Sequence, residues 1–220
     1  MTERDNLVDK AKGGVSGAEN LLKSALSKEI KMTKIAVWCR HDGDNLIGIG
    51  ARIPWHISSD FRRFRKITEG ADLVVGEKTY ESFPNRTLPN RNLHILTQTP
   101  DYEVSDKEHH FVYNDINAFK EFEPDLYVCG GATVYKLFMT LGEKLLPDVI
   151  VDSRYCGEVD KLEGQKIDIT PCIEVMEKRY SKVTPDYEQD NVFTSLWVKK
   201  GDFVEQSVLK KLINIISINN

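Results

Sequence analysis

The sequence predicts an α/β fold built around one sheet, and three observations carry the prediction. From Met32 onward short apolar runs alternate with helical stretches; one of those runs ends in Gly130-Gly131 with a helix starting at once; and the last two apolar segments are spaced to pair with each other. Ile35–Cys39 is the first expected strand. Ser58–Thr68 follows as a helix, with Ser58 as N-cap and Phe61, Phe64, Ile67 and Thr68 on one face. Leu73–Val75 is a short buried strand that leads into a helical turn over Glu77–Ser82. Leu93–Leu96 is a strand, Phe111–Tyr113 a weaker one, and Asp115–Phe122 a helix. Leu126–Cys129 is another buried strand and feeds a helix over Ala132–Thr140. Val149–Val151 comes next, then a long loop, and Ile173–Lys182 with Phe193–Lys199 is expected to complete one edge as an antiparallel pair.

The length of 220 residues suits one domain with tails. Residues 1–31 are polar, carry a Gly13–Gly14 break and one weakly amphipathic helix around Ala18–Ile30, and stand as an N-terminal extension, native or added. The globular domain is expected over 32–200. Residues 201–220 form an amphipathic helical tail, helix-prone over Phe203–Ile218, that either packs on the body or joins copies of the chain. The protein is thus expected to be a monomer or an oligomer held by its terminal helices.

A net charge of −4 with no clustered basic patch argues against a nucleic-acid partner. No apolar run approaches the roughly 20 residues of a membrane span, and the N-terminus has the pattern of neither a signal nor a transit peptide. Cys39, Cys129, Cys156 and Cys172 lie far apart without Cys-x-x-Cys spacing. They are expected as free thiols in a reducing compartment rather than a zinc site or disulfide framework, which points to a cytoplasmic protein without a metal.

Three stretches carry chemistry. The first runs from Ile47-Gly48 through Ile53-Pro54-Trp55 to Ser58-Ser59-Asp60 and Phe64. An aspartate at a helix start is ordinarily there for the helix dipole. Asp60, however, lies one turn before Phe64, so carboxylate and ring project to the same side. An acid beside an apolar face after a Pro-Trp loop suits a pocket for a flat heterocycle: the carboxylate accepts from an amidine-like edge while the ring covers a face. The second stretch is Val128-Cys129-Gly130-Gly131-Ala132-Thr133-Val134-Tyr135, where bare backbone at a helix start lets a phosphate approach. A tight turn alone would also call for these glycines, and there is no Gly-x-Gly-x-x-Gly. The third is Val75-Gly76-Glu77-Lys78-Thr79-Tyr80-Glu81-Ser82-Phe83, followed by Arg86, Leu88-Pro89 and Arg91. Arg91 could pair with a carboxylate in bidentate fashion or stand as a solvated surface charge.

In this order and spacing the three stretches resemble dihydrofolate reductase over about Lys34 to Lys199. The resemblance implies a three-layer fold: a central eight-stranded, mostly parallel sheet with an antiparallel C-terminal edge and flanking helices. It implies reduction of 7,8-dihydrofolate to tetrahydrofolate by hydride transfer from NADPH, in support of one-carbon metabolism, and a site open to antifolate-type small molecules. Asp60, Trp55 and Ser153 stand as the catalytic group, Ser153 in the place of the family's usual threonine, with Asp152 the alternative. Asp60 would hold the pterin N3 and 2-amino group, with the proton for N5 delivered by water. Ile53, Phe61, Phe64, Phe83 and Leu88 would form the apolar substrate wall, Arg91 would take the glutamate tail, and Val37 and Cys129 the pterin's far edge. The implied cofactor set is Val37, Ile47, Gly48, Gly76, Lys78, Thr79, Leu96, Thr97, Gln98, Cys129, Gly130, Gly131, Ala132, Thr133, Val134 and Tyr135. Ile47–Trp55 would be the mobile loop over the nicotinamide.

Glu77 departs from the family pattern, in which a basic residue meets the 2′-phosphate of NADPH; NADH is therefore admitted as a second cofactor. A pyrimidine reductase of riboflavin synthesis shares the fold, but the Pro-Trp element followed by Asp60 and Phe64 speaks against it. The intact acid, aromatic and glycines speak against an idle binding module.

Overall fold

Branched apolar residues at period two become the strands of one sheet in the computed structural model, which describes residues 32–50 and 52–218. The N-terminal half runs β1 (Lys34–His41), β2 (Leu46–Ile49), α1 (Ser58–Thr68), β3 (Asp72–Gly76), α2 (Glu77–Ser82), β4 (Asn92–Leu96) and β5 (His110–Tyr113). It continues with β6 (Leu126–Val128), α3 (Ala132–Thr140), β7 (Val149–Tyr155), β8 (Lys166–Asp168), α4 (Thr170–Arg179), β9 (Tyr180–Lys182), β10 (Tyr187–Gln189), β11 (Val192–Lys199) and α5 (Gln206–Ser217). The expected helix at residues 1–31 lies outside the described residues.

The sheet follows the order β10-β11-β7-β1-β6-β3-β4-β5. Pairing is parallel from β7 to β5 and antiparallel where β11 meets β7. β9 and β10 both pair with the free side of β11, at Lys199–Trp197 and Thr194–Val192 respectively, so they share the eighth strand position. This is the eight-stranded sheet with an antiparallel edge that the resemblance implies.

Successive strand residues point to opposite faces, and the core divides accordingly. Ile35, Val37, Leu73 and Val75 pack with Ile67 of α1 and with Leu212 and Ile216 of α5. Ala36, Trp38 and Val74 pack with Val134 and Phe138 of α3 and with Cys172, Ile173 and Met176 of α4. Three layers result.

Several boundaries differ from the sequence-based expectation. Ile173–Arg179 is helical, not strand: Pro171 sits in the first turn, and Cys172, Ile173 and Met176 bury at helical spacing. Only Tyr180–Lys182 pairs in the sheet. The helix expected over Asp115–Phe122 is a short 3-10 turn, Ile116–Phe119, capped by the Asp115 side chain on the Asn117 N–H. Ile57, not Ser58, occupies the N-cap of α1, with no side-chain cap. Ile47–Ile49, expected as the start of the loop over Ile47–Trp55, belongs instead to the strand Leu46–Ile49 paired with β8. α5 packs on α1 and β11; Leu212 and Ile216, four residues apart, are fully buried, each contributing about 1.5–3 kcal/mol.

Candidate active site

The parallel pair β1–β7 and the first turn of α1 bring three polar groups together. Cys39 and Ser153 are register partners across β1 and β7, and Thr194 of β11 lies opposite Ser153. The two hydroxyls are 3.0 Å apart. Asp60 comes in from α1 above them. Burial pushes its carboxyl above the ordinary range; the Arg63 charge, then hydrogen bonds from Cys39, Arg63 and Ser153, oppose that rise. Asp152 is one residue along β7 and therefore faces the other side of the sheet. There it accepts from Trp38 Nε1 at 2.7 Å and from Arg40 Nε at 2.9 Å. Of the two candidates for the hydroxyl partner, Ser153 is on the acid's side.

Asp60 borders a cavity of about 970 Å³, at the upper end of the size usual for small-molecule sites and roomy enough for more than one ring. Ile53, Phe61, Phe64, Phe83 and Leu88 line it, as do Val37, Ile47, Trp55, Cys129, Gly130, Gly131 and Tyr135. Trp55 is buried against Tyr155, ring centroids 5.3 Å apart. Phe61 is 43% exposed and lies against His56, so an apolar face is left for a ligand to cover.

Arg91 lines the same cavity. Its Nε donates to Thr68 Oγ1 at 3.1 Å, and its two terminal nitrogens donate to the carbonyls of Pro89 (2.5 Å) and Arg65 (2.6 Å). Those partners are neutral oxygens, so the cation is held in place with its charge unspent, which fits a carboxylate ligand. Burial lowers its proton affinity, with the nearby Glu69 charge acting the other way.

The glycines make a cradle at one side of the cavity. The Gly130–Gly131 peptide is cis, and Gly130 has φ +108°, a conformation that favours glycine. The Gly76 N–H donates to the Gly130 carbonyl at 2.7 Å. A Cβ on Gly76 would meet Val134 at 3.2 Å, and one on Gly131 would meet Thr79 Oγ1 at 3.1 Å. Backbone of two helix starts thus converges where a side chain would crowd its neighbours, and the nine-residue α3 presents free N–H groups and its positive dipole end there. Tyr135 closes the join between cradle and cavity by donating to the Val37 carbonyl at 2.6 Å. These residues fit a dinucleotide phosphate.

The remaining members of the implied cofactor set are spread around this cradle. Leu96 and Val134 are core residues, so a ligand would meet their backbone. Ala132 and Thr133 open α3, Gly48 is buried in β2, Lys78 is exposed, and Gln98 donates to the Asn114 carbonyl at 3.1 Å. Thr97 donates to Glu77, as does Thr99 at 2.8 Å, and those hydrogen bonds hold the Glu77 carboxyl below its ordinary value. At neutral pH a fixed negative charge therefore stands beside the cradle.

Residues 33–160 match the profile of the family described as dihydrofolate reductase. The chain belongs to the dihydrofolate reductase family. The family's activity, reduction of dihydrofolate with NADPH, comes with that membership. The chain is 28% identical to the dihydrofolate reductase of Enterococcus faecium over 172 residues, covering 77% of this chain and 99% of that one. It is 34% identical to that of Mycoplasma pneumoniae over 146 residues, covering 62% and 84%. In fold it is similar to the Enterococcus faecalis dihydrofolate reductase solved with NADP(H) and RAB-propyl. That match has a TM-score of 0.60 at 22% identity over 76% of this chain and 96% of that one.

Sequence reasoning missed three residues around the acid. Arg63 was within reach of it, because i,i+3 neighbours share a helix face. Cys39 shares a strand face with Val37, two residues earlier. Thr194 left no signal, since the register of β11 against β7 cannot be read from one sequence.

Proposed function

We propose that Asp60 is the one ionisable group that binds and polarises the dihydropterin, and that the cavity it borders is where tetrahydrofolate is made. The observation that carries this reading is a part-buried carboxylate on the border of an aromatic-walled cavity, joined through Tyr135 to a glycine cradle. The carboxylate accepts from N3 and the 2-amino group of the pterin, drawing electron density toward that edge and favouring protonation of N5 by water. Phe61 and Phe64 cover the ring faces, Ile53, Phe83 and Leu88 close the apolar wall, and Arg91 takes the α-carboxylate of the glutamate tail. Ser153 holds Asp60 in orientation, and Trp55 shields the pterin from bulk water. NADPH, when bound, supplies the hydride that C6 of the ring receives. Gly76, Thr79, Gly130 and Gly131 with the start of α3 would hold its phosphates, and Val37, Ile47 and Tyr135 would flank its ring. Fixing two rings face to face supplies a large share of the rate enhancement. The same cavity suits antifolate-type molecules. The burial of α5 on the body supports a monomer, and four free thiols with no membrane-length apolar helix among the described residues support a cytoplasmic location. Purified protein is expected to oxidise NADPH only when dihydrofolate is present; oxidation driven by a ribosylaminopyrimidine instead would overturn the reading.

Glu77 sets a second expectation. A carboxylate fixed by two threonine hydroxyls repels a 2′-phosphate and can accept from a ribose 2′-hydroxyl, so NADH is admitted alongside NADPH. Replacing Glu77 with Arg is expected to raise the ratio of kcat/KM for NADPH over NADH several-fold. The gain should shrink in high salt, because the charge is solvent-exposed. An unchanged ratio at low ionic strength would show that Glu77 does not meet the ribose.

A further inference from the structure

Arg63 is a buried charge that the reaction described above does not use. Its side chain is only 6% exposed, and it sits one helical turn after Asp60 on the inward face of α1. Ser59 and Ile67, its neighbours four residues away on either side, are buried as well. Burying a guanidinium is costly unless it is paired and hydrogen-bonded, and an apolar side chain would fill this position without that cost. One arm, Nη1, reaches Asp60 Oδ1 at 3.3 Å; the other, Nη2, donates to Gln189 Oε1 of β10 at 3.3 Å. The planar fork is therefore fixed at both ends, and both Asp60 and Arg63 border the cavity.

We infer that Arg63 is a positioning residue for the reaction: anchored through Gln189, its guanidinium keeps Asp60 ionised and aimed into the cavity before the pterin arrives. The inference rests on the reading of Asp60 as pterin anchor. A carboxylate has about four acceptor sites, so it can keep Arg63 and still receive the two donors of a pterin edge. The other groups that face Asp60 carry no charge at neutral pH. Burial pushes the Cys39 thiol of β1 and the Tyr135 phenol of α3 well above their ordinary values, and Ser153 of β7 is a hydroxyl. Arg52, His56 and Asp160 line the same cavity, but Arg63 is the cation that pairs with the acid. Among the influences on Asp60, its charge is the largest that opposes burial. Without it, burial acts with less opposition, and the acid takes up its proton at higher pH. The acid side of the pH–activity profile then moves toward neutrality.

The test compares Arg63→Gln and Arg63→Lys in the full chain by two readouts. One is the pH dependence of kcat/KM for dihydrofolate. The other is the carbon-13 carboxyl titration of Asp60 in ligand-free protein, assigned by its loss in Asp60→Asn. Arg63→Gln is expected to move both the titration and the acid limb of the profile upward, while Arg63→Lys, which keeps the charge but not the fork, moves both by less. A merely structural arginine would lower the melting temperature and move neither. An Asp60 titration unmoved in folded Arg63→Gln overturns the inference. If that variant does not fold, Gln189→Leu frees the second arm and should move the titration upward by less; no movement there overturns it equally. The ligand-free titration keeps the two readings apart: a parent enzyme idle with dihydrofolate would defeat the pterin reading, whereas an unmoved titration would defeat only the role of Arg63.

Discussion

Asp60→Asn is expected to lower kcat/KM for dihydrofolate by roughly 10²–10³-fold at neutral pH, the usual cost of removing one electrostatic contact to a developing charge. The loss should be smaller in acid, where substrate protonated in solution needs less help from the carboxylate. The acid limb that belongs to Asp60 disappears, because an amide does not titrate. Stability should go the other way. The folded-state carboxyl is raised above its ordinary value, chiefly by burial. Below the ordinary carboxylate range the acid is protonated in both folded and unfolded chains, and ionisation contributes nothing. As pH rises through the folded value the native state alone carries the penalty of a desolvated charge. Asparagine removes that penalty, and its amide oxygen can still accept from Arg63. The melting temperature at pH 7 is therefore expected to equal or exceed the parent's, a trade of stability for function common at active sites. Steady-state kinetics and calorimetry on the same preparation check both halves. A parent-like rate, or a collapse of stability, would remove Asp60 from its assigned place.

What the sequence revealed about this site follows from how local each piece is. Asp60 and Phe64 are one helical turn apart, so their shared direction follows from helix geometry alone. The Gly130-Gly131 turn announces itself because only glycine tolerates the backbone found there, φ +108° at Gly130. The strand–helix alternation gave the layers for the same reason. Local pattern failed where two periods fit one stretch. Ile173-Glu174-Val175 alternates like a strand, yet Cys172, Ile173 and Met176 bury at helical spacing once Pro171 has started the turn. It failed again where partners come from distant strands. Thr194 is beside Ser153, and Gln189 beside Arg63, only because β11 and β10 pair in one register, and a slip of one residue would reverse every side chain. The choice between Asp152 and Ser153 was of this kind: adjacent in sequence, they lie on opposite faces, and only the sheet assigns them.

That opposite face supplies the largest expected stability change. Asp152 is 1% exposed and receives Trp38 Nε1 at 2.7 Å and Arg40 through Nε at 2.9 Å and Nη2 at 3.0 Å. Arg40 reaches on to Asn45 Oδ1 at 2.6 Å, and Asn45 to Thr170 Oγ1 at 3.3 Å, so the network joins β1, the turn before β2, and the start of α4. Asp152→Ala would leave a buried guanidinium and an indole N–H without their acceptor. Breaking a buried pair from one side costs about 3–5 kcal/mol. For a domain of this size that corresponds to a fall in melting temperature on the order of 10 °C. Asp152→Asn keeps an acceptor for the indole and should fall by less. Catalysis would suffer too, since Trp38 stands edge-on to Tyr135 with centroids 5.4 Å apart, and Tyr135 braces the Val37 carbonyl between cavity and cradle. The pH profile separates this damage from that of Arg63→Gln. Asp152 faces away from Asp60, so its loss should lower activity at every pH and leave the acid limb in place. A limb displaced in folded Asp152→Ala would mean that the two faces of the sheet communicate through charge rather than through packing.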